Sequence, residues 1–207
     1  MAIFYKIAEK IRLMLLEFAG LIMIASEWHV INVTYKKAKR PVVADGLRYR
    51  TVDRLLDIAE GMTVLDIGSN LGIVDYEFAL RGAKLVHGID NSLFAVGFAR
   101  TLFRTIPCES KFIHADLTKR VPDLGIYDIV LFMSVYHWLR QKMSEESLHE
   151  LMRILARKSK RWFVRAGDPP AYKEKMDSVL FSEGFKAWFA TDTVCIYERI
   201  ADKTEKV

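Results

Sequence analysis

The sequence predicts an α/β protein built on a doubly wound, mostly parallel sheet of seven strands with an antiparallel last strand. Short apolar segments alternate with segments of helical periodicity from residue 51 to residue 199, which is typical of a parallel sheet covered on both faces. Glycine or aspartate stands where several apolar segments end, as expected where strands meet a ligand. The last two segments are separated by residues 191–193, a link that permits only an antiparallel hairpin.

The predicted elements are bounded by residues that begin and end them. Strands are predicted where apolar runs occur, at 62–67, 84–89, 111–114, 128–133, 161–165, 186–190 and 194–199. Helices are predicted at 52–59, 73–81, 92–103, from Ser144 onward and at 170–183. Ser92 and Ser144 are suited to cap the helices that follow them, and Gly82 and Gly184 to end the helices before them.

Length and composition fit one globular domain with an extension. The 207 residues are 51% hydrophobic and 28% charged, which excludes a disordered or low-complexity chain. Cys108 and Cys195 are too few for a disulfide framework and lack the spacing of metal ligands. The sequence therefore predicts no metal and favours a reducing, cytoplasmic location.

Net positive charge is concentrated at the N terminus. Residues 1–50 contain nine Lys or Arg and four Asp or Glu, so they account for the whole formal charge of +5. We divide the chain into an N-terminal helix and basic linker at 1–44, a domain at 45–200 and a tail at 201–207. A basic extension on a neutral domain predicts an anionic partner surface.

The extension begins with an apolar segment at 3–25, where hydrophobic residues recur with helical spacing, and continues into the basic run 36–40. Glu17 interrupts the apolar stretch and no small-residue cleavage site follows, which argues against a signal peptide. The stretch is also too short and too charged for a transmembrane span. Two interpretations stay open: a helix that covers the domain itself, and a helix that docks residues 3–40 on anionic lipid or a partner protein.

Three strand ends carry residues suited to a nucleoside ligand. The first strand runs into the turn Gly68–Gly72, whose glycines allow a sharp bend and a close approach of the backbone. Asp90 ends the second strand, 24 residues after Asp66, where a carboxylate can accept hydrogen bonds from two ribose hydroxyls. Asp116 follows the third strand and can accept from an adenine amino group. This ordered set is much more specific than a glycine turn alone.

On these motifs the sequence resembles, over roughly residues 45–200, the class I, Rossmann-like S-adenosylmethionine-dependent methyltransferases. LDIGSNLG is similar to the first motif of that family, HGID to the second, FIHAD to the third and YDIVLFMSVYHWL to the fourth. Asn70 stands where many members have glycine. The resemblance implies that S-adenosylmethionine binds, and leaves as S-adenosylhomocysteine, without a metal. It places the cofactor at Asp66, Gly68, Ser69, Asn70, Gly72, Asp90, Asn91, Asp116, Leu117 and Ser134.

Three other interpretations of these motifs fit less well. A dinucleotide-binding dehydrogenase would have G-x-G-x-x-G and no closing hairpin, and a degenerate relative would lack some of the glycines and acids that are present here. The run 168–172, DPPAY, resembles the D/N-P-P-Y signature of adenine-N6 methyltransferases, but it follows the fifth strand instead of the fourth. It reads better as the start of a helix.

The acceptor side is predicted at the end of the fourth strand, which faces the donor methyl group in the family that the sequence resembles. Histidine is the side chain most suited to proton transfer near neutral pH, so His137 is the candidate general base, and Tyr136 is the candidate for positioning the acceptor. The alternative for both is packing against the cofactor. The candidate substrate contacts are Arg48 and Tyr49 before the core, and Arg165 and Asp168 after the fifth strand.

The sequence favours a small-molecule, lipid or glycan acceptor, met at the inner face of a membrane if the N-terminal helix contacts lipid. An RNA methyltransferase that uses the basic N terminus is one alternative, although the neutral domain lacks long basic tracks. A cofactor-binding protein that docks a partner through its N-terminal helix is another.

Overall fold

The computed structural model describes residues 58–166, 170–191 and 194–200. Several sequence predictions lie outside these ranges: the N-terminal helix and basic run, most of the helix at 52–59, the candidate contacts Arg48, Tyr49 and Asp168, and the tail at 201–207. No helix within the described ranges is both long enough and apolar enough to cross a membrane.

Seven strands form a single sheet, as predicted. Their order across the sheet is β3-β2-β1-β4-β5-β7-β6; the first five in sequence run parallel, and β7 is antiparallel to both of its neighbours. The strands are β1 Thr63–Ile67, β2 Leu85–Asp90, β3 Glu109–His114, β4 Tyr127–Met133, β5 Ser159–Ala166, β6 Phe185–Ala190 and β7 Val194–Arg199.

Five α-helices are described: α1 Ile73–Leu80, α2 Leu93–Leu102, α3 Tyr136–Arg140, α4 Glu145–Arg157 and α5 Lys173–Ser182. Ser92 and Ser144 cap α2 and α4 as predicted, each accepting a backbone N–H through its hydroxyl at 3.2 Å. Two 3₁₀ turns, Phe103–Thr105 and Pro170–Tyr172, continue α2 and precede α5. Helix α3 is the one element that the sequence did not predict.

The sheet carries an apolar core on each face. Adjacent residues of a strand point to opposite faces, so Val64 packs towards α1 and α2 while Leu65 packs towards α4 and α5. The register of β4 against β1 is also fixed by polar bonds. One carboxylate oxygen of Asp128 accepts from both the backbone N–H and the hydroxyl of Thr63, each at 2.8 Å. This pairing aligns β1 with β4, so that the carboxyl ends of the two strands lie side by side at the site.

Candidate active site

A cavity of about 460 Å³ opens at the carboxyl ends of β1, β2, β3 and β4. This is the position where open parallel sheets bind ligands, and the volume lies within the range of roughly 300–1,000 Å³ of small-molecule sites. Seven of the ten predicted cofactor residues line it: Gly68, Asn70, Asn91, Asp90, Asp116, Leu117 and Ser134. The predicted strand ends are therefore brought together around one space.

The glycine turn is packed tightly beneath the cavity. Gly68 and Ser69 both donate their backbone N–H to the carbonyl of Ile89, at 2.8 and 3.0 Å, which ties the turn to β2. Gly68 has φ +73°, and a Cβ there would lie 2.7 Å from Cγ2 of Val135. Only glycine fits this conformation and this gap without displacing the segment that follows β4.

Asp90 links the turn to the end of β2. One carboxylate oxygen accepts the backbone N–H of Asn70 at 2.9 Å, and the other accepts that of Ser92 at 2.8 Å. Each carboxylate oxygen has further lone pairs, so Asp90 can still accept hydroxyl donors from a ligand in the cavity. The side chain thus both shapes the turn and presents an acceptor to the space above it.

Asp116 presents a second carboxylate. Its Oδ1 accepts the hydroxyl of Thr118 at 2.7 Å and the backbone N–H of Thr118 at 3.1 Å, and Lys119 Nζ lies 3.6 Å from Oδ2. The Thr118 hydrogen bonds, aided by Lys119, hold the pKa of Asp116 below its usual value. The carboxylate therefore stays charged near neutral pH and acts only as an acceptor.

Ser134, directly after β4, adopts a left-handed backbone conformation with φ +56°. Its N–H donates to the carbonyl of Ala166 at 2.6 Å, which ties the end of β4 to β5. Its hydroxyl is buried and has no hydrogen-bond partner among the described residues, although Ser134 lines the cavity. A buried hydroxyl without a partner is costly, so a polar ligand group at this wall would satisfy it.

The three remaining predicted cofactor residues, Asp66, Ser69 and Gly72, lie below the cavity wall. Asp66 is 3% exposed, and burial, together with the nearby Asp90, raises its carboxyl pKa well above the usual value. Gly72 has φ +72°, and a Cβ there would lie 2.9 Å from Cβ of Ala99. These residues support the turn and do not contact the space itself.

Helix α3 changes where the predicted catalytic residues lie. The sequence suggested that the end of β4 presents Tyr136 and His137 to the ligand, but β4 ends at Met133 and a helix begins at Tyr136. Tyr136 points into the apolar core with 0% exposure, and its hydroxyl lies 3.3 Å from Nε2 of His149. His137 is half-buried, and neither residue lines the cavity.

Helical spacing instead brings Val135, Trp138, Leu139 and Lys142 to the cavity wall. Steps of three and four residues along a helical turn lie on one face. This helical spacing is visible in the sequence and could have identified the wall residues. It was missed because the apolar run of β4 led us to interpret the following segment as the end of a strand.

The other predicted substrate contact in the described residues, Arg165, is 1% exposed and does not line the cavity. Its Nε donates to the Tyr197 hydroxyl at 2.7 Å, its Nη2 lies 3.4 Å from Oδ1 of Asp177, and the Tyr197 hydroxyl donates to the same oxygen. This buried group joins β5, β7 and α5 behind the site. Arg165 therefore holds the fold together at this point.

The cavity fits a nucleoside that bears a polar tail. Asp90 and Asp116 offer two separate carboxylates, the Gly68 turn leaves room for close backbone approach, and Ser134 offers an unpaired hydroxyl. No cluster of three or more His, Cys, Asp or Glu suited to a metal occurs in the described residues. These residue types match the donors and acceptors of S-adenosylmethionine.

Comparison with known proteins assigns the class. Residues 64–158 match the family described as a methyltransferase domain. A search among curated protein sequences finds no significant match. Residues 64–158 therefore form a methyltransferase domain, and the sheet has the fold of the class I, Rossmann-like, S-adenosylmethionine-dependent methyltransferases.

Proteins of similar fold whose structures are solved are named for different acceptors. Magnesium protoporphyrin IX methyltransferase from Synechocystis, with bound S-adenosylmethionine, is 20% identical with a TM-score of 0.59, over 74% of this chain and 80% of that one. A putative RNA methyltransferase from Pyrococcus horikoshii is 14% identical with a TM-score of 0.60, over 76% and 84%. The ribosomal protein L11 methylase from Lactobacillus delbrueckii is 18% identical with a TM-score of 0.53, over 72% and 78%. At these identities the likeness concerns the fold, and the acceptor differs from one neighbour to the next.

Proposed function

We propose that the chain transfers a methyl group from S-adenosylmethionine to a small-molecule, lipid or glycan acceptor. The observation that carries the cofactor site is the convergence of Asp90, Asp116 and the Gly68 turn on one cavity. The bound cofactor supplies an electrophilic methyl group, whose bond to sulfur breaks as a lone pair of the acceptor forms the new bond.

The chain's own residues bind the cofactor and fix its orientation. We assign the ribose hydroxyls to Asp90, the adenine amino group to Asp116 and Leu117, and the polar tail to the backbone of the Gly68 turn and to Ser134. Because in-line alignment supplies much of the rate of a displacement, holding the cofactor in one orientation is the main catalytic contribution of these residues.

We retain His137 as the proposed proton acceptor for a hydroxyl substrate, and Tyr136 as the residue that fixes the helix carrying it. His137→Ala is expected to leave the dissociation constant of S-adenosylhomocysteine unchanged and to slow methyl transfer about 10²–10⁴-fold, the usual contribution of a general base. Isothermal titration and single-turnover rates measure the two quantities. A full transfer rate in this variant would make His137 a packing residue.

We also propose that residues 3–40 bring the enzyme to an anionic surface, at the inner face of a membrane. The support is the concentration of positive charge in residues 1–50 next to an apolar segment. A lipid or lipid-linked acceptor would be met there. RNA as the acceptor, and a partner protein as the docking surface, are the competing outcomes of the tests below.

The first experiment is methyl transfer from tritiated S-adenosylmethionine into a host-cell extract, separated into organic-soluble, small aqueous and macromolecular fractions. Label in the organic or small aqueous fraction is expected. Asp90→Ala, with its weakened cofactor binding, serves as the control and should give less label at a limiting S-adenosylmethionine concentration. Label confined to the RNA of the macromolecular fraction would replace the proposed acceptor class, and no label in any fraction would contradict the proposed activity.

A further inference from the structure

Helix α3 forms one continuous wall of the cofactor cavity. Four of its residues and neighbours, Val135, Trp138, Leu139 and Lys142, line the cavity, and their spacing of three, one and three places them on one side of a helical turn. The turn continues past the end of α3, because Lys142 donates its backbone N–H to the carbonyl of Leu139 at 2.9 Å. Leu139 is buried and Val135 is half-buried, whereas Trp138 and Lys142 are exposed at the mouth that we infer for the cavity.

Trp138 presents an apolar plane at this mouth. It is 60% exposed, the highest value among the exposed large hydrophobic residues of the described chain, and it nevertheless lines the cavity. Among the described residues, its ring contacts that of His137, at 5.2 Å between centroids. An indole with a free face stacks readily on a planar ring system.

Lys142, four residues after Trp138, adds a positive charge to the same cavity wall. Its side chain is exposed, and no ion pair is formed by it with any described residue. Arg140, the neighbouring cation, is balanced by Glu145 at 3.6 Å. The carboxylates that line the same cavity, Asp90 and Asp116, stand at the ends of β2 and β3, beyond β1 from the α3 wall.

We propose that Trp138 and Lys142 form the acceptor-binding wall, and that the acceptor is a planar ring system carrying an anionic group. The ring stacks on the indole of Trp138, and the anion pairs with the ammonium of Lys142. The proposal rests on the proposed methyl transfer, because it takes the cavity behind this wall as the cofactor site.

The test uses two probes that differ in charge alone, 2-naphthoate and its neutral amide, 2-naphthamide. Binding to the full chain is measured by equilibrium dialysis, with and without saturating S-adenosylhomocysteine, whose own affinity is measured separately by calorimetry. Lys142→Gln and Trp138→Leu are compared with Lys160→Gln and Trp188→Leu, matched exposed positions that do not line the cavity.

We expect the unmodified chain to bind 2-naphthoate at least fivefold more tightly than 2-naphthamide. Lys142→Gln removes this preference by weakening only naphthoate, and Trp138→Leu weakens both probes at least fivefold. Both variants keep the affinity for S-adenosylhomocysteine within twofold, and the two matched variants change neither probe.

Equal binding of the two probes, or no binding of naphthoate, would overturn the proposal. So would a loss of S-adenosylhomocysteine affinity in Trp138→Leu, since the indole would then contact the cofactor. If the unmodified chain fails to bind S-adenosylhomocysteine, the proposed function fails instead, and the titrations without it still report the preference of the wall.

Discussion

Two residues other than glycine have a positive φ in the described chain, Asn70 and Ser134, and both line the cavity. Such conformations cost about 1–3 kcal/mol each and persist only where the surrounding structure enforces them. Asn70 is held by its N–H bond to Asp90, and Ser134 by its N–H bond to Ala166. Backbone strain is thus concentrated at the two turns that would hold the cofactor, where it fixes the direction of their polar groups.

Asp90→Ala is expected to raise the dissociation constant of S-adenosylhomocysteine about 10- to 150-fold. A hydrogen bond to a charged group is worth roughly 1.5–3 kcal/mol, and each 1.4 kcal/mol is about tenfold in affinity. Calorimetric titration measures the change. Asp123→Ala removes an exposed carboxylate that does not line the cavity and serves as the control. Unaltered affinity in Asp90→Ala would remove Asp90 from the cofactor site.

Asp75, in the first turn of α1, is a buried acid that the proposed function does not use. It is 0% exposed, and neither carboxylate oxygen has a hydrogen-bond partner among the described residues. Burial, with a smaller effect of Asp66, raises its pKa well above 3.8. The folded state therefore binds more protons than the unfolded state, and stability falls as the pH rises through the folded-state pKa.

Asp75→Asn is expected to stabilise the protein more at pH 8 than at pH 5. The amide carries no charge, so the variant avoids the cost of ionising a buried carboxyl. This advantage shrinks as the pH falls, and it disappears only where the carboxyl is protonated in the unfolded state as well. Urea unfolding at the two pH values measures the difference. Asp123→Asn, at an exposed position, should change the free energy of unfolding by the same amount at both pH values. An equal change at both pH values in Asp75→Asn would contradict a raised pKa of Asp75.

The strand ends that line the cavity could be predicted from the sequence, and the position of the residues after β4 could not. Gly68, Asp90 and Asp116 stand at strand ends, and parallel strands bring their carboxyl ends to one edge whatever the details of packing. His137 and Tyr136 lie three or more residues beyond β4, where each residue of a helix rotates by about 100°. Their direction therefore depends on α3, a helix of five residues that the sequence did not reveal.

At the scale of elements, α1 and α2 show two opposite uses of glycine. Gly72 precedes α1 with a positive φ and no room for a side chain, while Gly97 lies inside α2 with nothing within 4 Å of an added Cβ. The first glycine is required by its conformation. The second costs backbone entropy without any packing that explains it.

Gly97→Ala is therefore expected to raise the free energy of unfolding by roughly 0.5–1 kcal/mol. Gly72→Ala is expected to lower it by about 1–3 kcal/mol, because alanine must adopt a left-handed conformation against Ala99. Chemical denaturation of the two variants provides a matched pair. A destabilised Gly97→Ala would show that α2 packs more closely at this position than the structure indicates.

The elements themselves were predicted well where caps and glycines mark their ends. Helix α4 begins after Ser144 and α2 after Ser92, as their hydroxyl caps indicate. β3 begins at Glu109 instead of Lys111, because it is an edge strand whose polar residues, such as Ser110 and Lys111, hide the periodicity of a strand. The segment that begins at Pro170 divides into a 3₁₀ turn and α5. A proline indicates where a helical segment starts, but it does not indicate whether the first turn is 3₁₀ or α.

For the whole molecule, the directions of the strands were predicted from their alternation with helices and from one short link, but their order across the sheet was not. Because Thr191–Thr193 cannot cross over the sheet, the last strand had to be antiparallel, and β7 is inserted between β5 and β6 in that direction. The relation of the basic extension to this sheet does not follow from any such rule, since its pattern is compatible with both a cover helix and a docking helix.

The full chain is expected to sediment with vesicles of phosphatidylcholine and phosphatidylglycerol, and not with phosphatidylcholine alone. Replacing the basic run by glutamine, with Lys36→Gln, Lys37→Gln, Lys39→Gln and Arg40→Gln, should weaken this binding at least tenfold, since each such charge contributes about 1 kcal/mol at an anionic surface. Unchanged sedimentation would contradict lipid docking through this run. Tighter binding of the unmodified chain to RNA than to vesicles would favour the nucleic-acid alternative.

The central position of β1 has a consequence for synthesis on the ribosome. Its two neighbours are β2 and β4, and the bonds between Thr63 and Asp128 join positions that are 65 residues apart. At about 5–20 residues per second, roughly 3–13 s pass between translation of the two. During that interval the edge of β1 that pairs with β4 has no partner, and an unpaired apolar strand edge of this kind is a site of aggregation during synthesis.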